Sequence, residues 1–218
     1  MSATLTDTEV RVLGSLIEKQ ITTPEYYPLT LNALVAACNQ KNNRNPVTSY
    51  SESEVDEALF SLREKNLAYV FHGSTSRVPK YKHVFPEVMH LSPAEVAALA
   101  VLMLSGPQTV GEIRTRGSRF YEFNGLEEVE DTLRSLSMRE GEPLAVKLPR
   151  QAGRKDARFA HLLSGEPAIE EVEAVSERKT RNANDAERIA SVEDAVQSLT
   201  KRIDELSAQF DSFKKQFE

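Results

Sequence analysis

The sequence predicts a mainly helical α+β protein with small β-hairpins, built as two related domains in tandem with a C-terminal coiled-coil helix. Three observations predict it. The chain repeats itself internally, each copy runs three helix patterns into two short strand patterns, and residues 188–218 keep a strict heptad.

The repeat is read directly. Leu5-Thr-Asp-Thr-Glu-Val10 matches Leu91-Ser-Pro-Ala-Glu-Val96, Val55–Leu62 matches Val129–Leu136, and Tyr81-Lys-His83 matches Phe159-Ala-His161. The order is kept while the offset changes, which is the mark of a duplicated domain with loop insertions. The expected boundaries are 1–86 and 87–165 for the two domains, 166–187 for a polar linker and 188–218 for the coiled-coil helix.

Each copy opens on a helix. Thr6 with Glu9 forms a capping box ahead of Val10, Leu13, Leu16 and Ile17 at helical spacing. In the second copy Ser92 caps, Pro93 takes the first helical position and Glu95 completes the box. A second helix follows Thr30 and Thr109, and a third starts near Ser51 and near Gly125. Strands are expected over Leu67–Phe71 and Tyr81–Phe85, and again over Leu144–Leu148 and Arg158–Leu162. Three helices followed by a hairpin is the winged-helix order.

Three segments carry a family resemblance: YPLTLNALVAACNQKNNRNPV at 27–47, SRVPKYKH at 76–83 and RFYEFNGLEEVEDTL at 119–133. In this order they resemble the YceH-like family of uncharacterised bacterial proteins, over about residues 4–165. The resemblance implies a tandem winged-helix fold. It brings no catalytic or binding residues with it.

The tail alternates Ile189, Val196, Ile203, Phe210 and Phe217 with Val192, Leu199, Leu206 and Phe213 at spacings of three and four. β-Branched residues at the first positions and leucines at central partner positions favour a parallel dimer. The alternative is one amphipathic helix folded back on the domains.

Composition narrows the function. The net charge of −6 is uneven: residues 1–86 hold nine basic and nine acidic side chains, 87–165 ten and eleven, and 166–218 eight and thirteen. A protein held on DNA by phosphate neutralisation alone is usually more basic. No apolar run approaches the roughly 18 residues of a membrane span. MSATLTDTEV has no basic stretch followed by an apolar one, and Cys38 is the single cysteine, so the expectation is a cytoplasmic chain without disulfides. No nucleophile motif, phosphate loop or zinc spacing is present, so neither enzyme activity nor a cofactor or metal is expected. Cys38, which follows the apolar run Leu34–Ala37, is expected in the core, and His83 and His161 are expected to be structural partners of the duplication.

Helical geometry assigns the third helices' faces. Val55, Ala58, Leu59 and Leu62 face the core, as do Val129, Thr132, Leu133 and Leu136. The outward ridges are then Ser53, Glu57, Phe60 and Glu64, and Glu127, Asp131, Arg134 and Met138. Such acidic ridges disfavour insertion into a DNA groove. Glu57, Phe60, Glu64, Asp131 and Met138 are therefore candidates for a protein contact. Candidates for phosphate contact are Lys41, Arg44, Arg77, Lys80 and Lys82 in the first copy. In the second they are Arg114, Arg116, Arg119, Arg150, Arg154, Lys155 and Arg158, with Lys147 beside them. Two readings follow: a DNA-associated regulator gripping the backbone, or a protein-interaction module, in either case a homodimer.

Overall fold

Thr6 starts the first helix as its capping box requires: its hydroxyl accepts from the Glu9 amide and the Glu9 carboxylate accepts from the Thr6 amide. In the computed structural model, which describes residues 4–71, 78–150 and 156–167, this helix is α1, Asp7–Thr22. A short 3-10 turn, Pro24–Tyr26, leads to strand β1, Leu29–Thr30, and Thr30 caps α2, Leu31–Cys38. Ser51 and Glu54 form a second capping box at the start of α3, Glu52–Glu64. The hairpin β2, Ala68–Phe71, and β3, Lys80–His83, follows, then α4, Phe85–Met89.

The second half repeats the plan. Ser92 and Glu95 box the start of α5, Pro93–Ser105, and Thr109 and Glu112 box that of α6, Val110–Gly117. Gly125 precedes α7, Leu126–Ser137, without a side-chain cap. The hairpin is β4, Ala145–Lys147, with β5, Phe159–His161. Among the described residues the fold is α+β, with seven α-helices, a three-stranded antiparallel sheet in the order β1-β3-β2 and a two-stranded one, β4-β5.

Two expectations change. The returning strand of the first half stops at His83 rather than reaching Phe85, because Pro86 has no N–H for a ladder and suits the first turn of a helix. Phe85 opens α4 and is buried. The strands of the second half are each shorter by a residue at both ends than expected. Neither β1 nor α4 is expected from the sequence. β1 has a partial counterpart: Gln108, just ahead of α6, pairs with Phe159 through hydrogen bonds of 3.0 and 2.7 Å.

The core is one cluster that crosses both halves. In α1 every residue from Glu9 to Glu18 is buried, and in α5 every residue from Glu95 to Ser105. A helix covered on all sides needs more than its own half to bury it. α1 packs against α2 and α3 on one side and α5 on another, while α5 also packs on α6 and α7. Gly14 permits the approach of α1 to α5, since a Cβ there would lie 3.1 Å from Leu104 Cδ2 and 3.2 Å from Met103 Cβ. The halves are also joined by the Leu5 amide, which donates to Leu163 O at 2.7 Å.

Residues 168–218, with the heptad positions Ile189, Val192, Val196, Leu199, Ile203, Leu206, Phe210 and Phe213, lie outside the described residues, as do the loop positions Arg77, Arg154 and Lys155. Among the described residues no helix is long and apolar enough to cross a membrane.

Candidate functional site

An open cleft of about 690 Å³ lies where the loop after α2 meets the second half. One wall is Lys41-Asn42-Asn43-Arg44-Asn45 and the other is Ser105, Gln108 and Arg116. Every lining residue is polar, three are basic and none is acidic. The loop is fixed across the junction. The Asn45 amide donates to Leu104 O at 2.9 Å, and Asn45 Nδ2 reaches Ser105 O at 3.4 Å. Asn43 takes the left-handed backbone region at φ 58°, which asparagine tolerates better than most residues.

Beneath the loop lies an ionic cluster that sequence reading did not assemble. Glu18 of α1 accepts from Arg44 of the loop and, at 2.7 Å, from Arg119 of the second half. Arg44 also donates to Ala37 O at 2.8 Å. Arg11, one heptad before Glu18, donates to Cys38 O at 3.1 Å and Pro46 O at 2.8 Å. Burial lowers the pKa of the Arg11 guanidinium, and the charge of Arg44 adds to this. Burial likewise lowers that of Arg119, with Glu18 opposing and Arg44 reinforcing. Two guanidiniums, Arg44 and Arg119, thus share a single carboxylate, with Arg11 held nearby on backbone carbonyls, and arginine stays charged under such pressure.

The expected phosphate contacts therefore separate. Arg44 is a correction: its side chain is fully buried and engaged by Glu18, so it faces no external phosphate. Arg119 is committed to the same carboxylate. Lys41, Arg114, Arg116, Lys147 and Arg150 are exposed. Lys80 and Lys82 are half-buried on β3, with Lys82 Nζ 4.7 Å from the centre of the Tyr69 ring. Arg158 is half-buried and engaged within the protein.

The third-helix faces lie as helical geometry assigns them. Val55, Ala58, Leu59 and Leu62 are buried, as are Val129, Thr132, Leu133 and Leu136. Glu57, Phe60, Glu64 and Asp131 are exposed, Phe60 at 61 %. Asp131 pairs with Arg134 at 2.8 Å. Met138 is 73 % exposed and sits just past α7, as its C-cap.

Cys38 is buried, and burial pushes its thiol up to about 11, which suits an inert core residue. His83 is buried beside the Tyr27 ring, and burial with the charge of Lys82 pushes its imidazole down to about 4. Neither ring nitrogen of His83 has a hydrogen-bond partner. Burial lowers His161 too, so its position matches in character as well as in register. Among the described residues no group of three or more His, Cys, Asp or Glu is placed to hold a metal ion.

Sequence reading missed Glu18, Asn42, Asn43, Asn45, Ser105 and Gln108. A signal for Glu18 was present: Arg11, Ser15 and Glu18 form a polar stripe through the otherwise apolar stretch 10–17 and its end.

These features define an α+β protein of seven helices and two small antiparallel sheets among the described residues, with a cationic cleft between the loop after α2 and the α5–α6 segment. The chain belongs to the bacterial family described as Protein of unknown function, DUF480, which matches residues 5–154. It is 50% identical to a UPF0502 protein of Geotalea uraniireducens over the whole of both chains. It is 55% identical to one of Citrifermentans bemidjiense over 88% of each chain, and 48% identical to one of Geobacter sulfurreducens over all of both.

Proposed function

We propose that this is a tandem winged-helix protein that associates with DNA by gripping the phosphate backbone from its loops and hairpins. It acts by binding, not catalysis, in the cytoplasm, as a dimer through the heptads of its tail. The observation that carries the reading is the separation of charge. The exposed cations Lys41, Arg114, Arg116, Lys147 and Arg150 lie off the third helices, Arg114 and Arg116 in the last turn of α6, and Arg63 on the flank of α3 is the exception. The outward ridges of α3 and α7 carry Glu57, Glu64, Glu127 and Asp131 against Arg134, which is paired with Asp131. Carboxylates on those ridges repel phosphates, so a grip from the loops, the hairpins and the end of α6 is the arrangement that the charges favour.

Fluorescence anisotropy with a duplex of about 30 base pairs tests this at low salt, where backbone contacts are strongest. Lys147→Ala with Arg150→Ala weakens binding about tenfold and flattens the salt dependence, while Glu57→Ala with Phe60→Ala leaves binding in place. Absence of duplex binding, or indifference to the hairpin pair, refutes the reading.

The exposure of Phe60 and Met138 beside carboxylates favours a second reading, a protein contact through α3 and α7. Affinity capture with wild type and Phe60→Ala distinguishes it, since partners that depend on Phe60 belong to that contact alone.

A further inference from the structure

We infer that the cleft at the junction of the two halves is a phosphate-binding site. Its charge is unbalanced. Arg44 and Arg119 share the one carboxylate of Glu18, and Arg11 adds a third guanidinium, held on the Cys38 and Pro46 carbonyls. Lys41 and Arg116 stand exposed on opposite walls, and neither forms an ion pair among the described residues. No lining residue supplies a compensating acid.

The remaining lining is suited to oxygen-rich anions. Side-chain amides of Asn42 and Asn43 can donate into the cleft from the same loop as Lys41. Arg44 is fully buried and contributes charge from below the cleft, not a contact. No apolar wall is present for a greasy ligand, and about 690 Å³ falls within the range of roughly 300–1,000 Å³ usual for small-molecule sites. A phosphate ester meets these conditions: compact charge, acceptor oxygens on every side and tight pairing with guanidinium and ammonium groups. The ester belongs to a nucleic-acid strand or to a free phosphorylated molecule, and the two share this chemistry.

The inference stands on the cleft and not on the hairpin cations, so it is tested apart from duplex binding. Calorimetric titration of the full chain at low ionic strength uses two probes, inorganic pyrophosphate and a short single-stranded oligonucleotide. Pyrophosphate binds wild type and the Lys147→Ala/Arg150→Ala variant alike, and at least tenfold more weakly to Lys41→Ala/Arg116→Ala. Displacement of pyrophosphate by the oligonucleotide assigns the ester to a strand, and its persistence assigns it to a free molecule. Both cleft substitutions are at exposed positions, and an unchanged thermal midpoint shows that the variant is folded. No binding of pyrophosphate to wild type, or equal binding to the cleft variant, overturns the inference. Loss of duplex binding with pyrophosphate binding intact defeats the DNA reading alone.

Discussion

Single residues show where local chemistry was readable and where it was not. The threonine or serine that opens α1 or α5 was legible, because a hydroxyl and a glutamate three residues on satisfy each other within one turn. Arg44 was not. In the sequence it is one more cation in an Asn-rich loop, and only the fold brings Glu18 of α1 underneath it. His83 yields a test at this scale. Its folded pKa, about 4, lies below the ordinary 6.5, so between these values the unfolded chain takes up a proton that the folded one refuses. Stability is therefore full above pH 6.5 and falls as pH drops toward 4, by roughly 3 kcal/mol in total from this residue. His161 acts in the same direction. Carboxylates such as Glu9 and Glu95 act lower still. Burial works against their ionisation, but the hydrogen bonds to Glu9 from Lys65 and to Glu95 from the Ser92 amide outweigh it. Urea midpoints measured from pH 7 to pH 5 fall for wild type, and His83→Phe, which keeps a ring beside Tyr27, flattens that slope. An equal slope in both proteins would show that His83 does not carry it.

At the scale of elements, periodicity recovered helices well and short strands poorly. The buried stripe of α3 repeats every three or four residues, which leaves no choice of face. Two-residue β1 has no period to read, and it exists because β3 lies beside it. α4 follows from Pro86, which has no N–H for a ladder and suits the first turn of a helix. The faces of α3 set up a direct comparison between neighbours. Leu59→Ala removes a fully buried side chain and costs about 2–5 kcal/mol, whereas Phe60→Ala at an exposed site changes stability by about 0.5 kcal/mol or less. Urea denaturation of the two variants reads the difference, and similar costs would mean that the helix is rotated from the orientation described.

At the scale of the whole molecule, what the repeat could not say is how its copies meet. They meet through α1 and α5, which occupy the same place in each copy, and this contact is why both helices are apolar well beyond one face. Gly14 sits at that contact, where even a Cβ would press on Leu104 and Met103. Gly14→Val forces the helices apart and costs about 1–3 kcal/mol as overpacking, read as a lower thermal midpoint. An unchanged midpoint would place the contact elsewhere. The meeting of equivalent helices has one more result. A spacing of 86 positions sets Ala97 opposite Arg11 in the alignment of copies, and Leu104 opposite Glu18. One copy carries ions at positions where the other carries apolar side chains, so the junction is lopsided. The stoichiometry of any anion taken up there is accordingly one per polypeptide, and a titration that ended at two would have found somewhere else to bind.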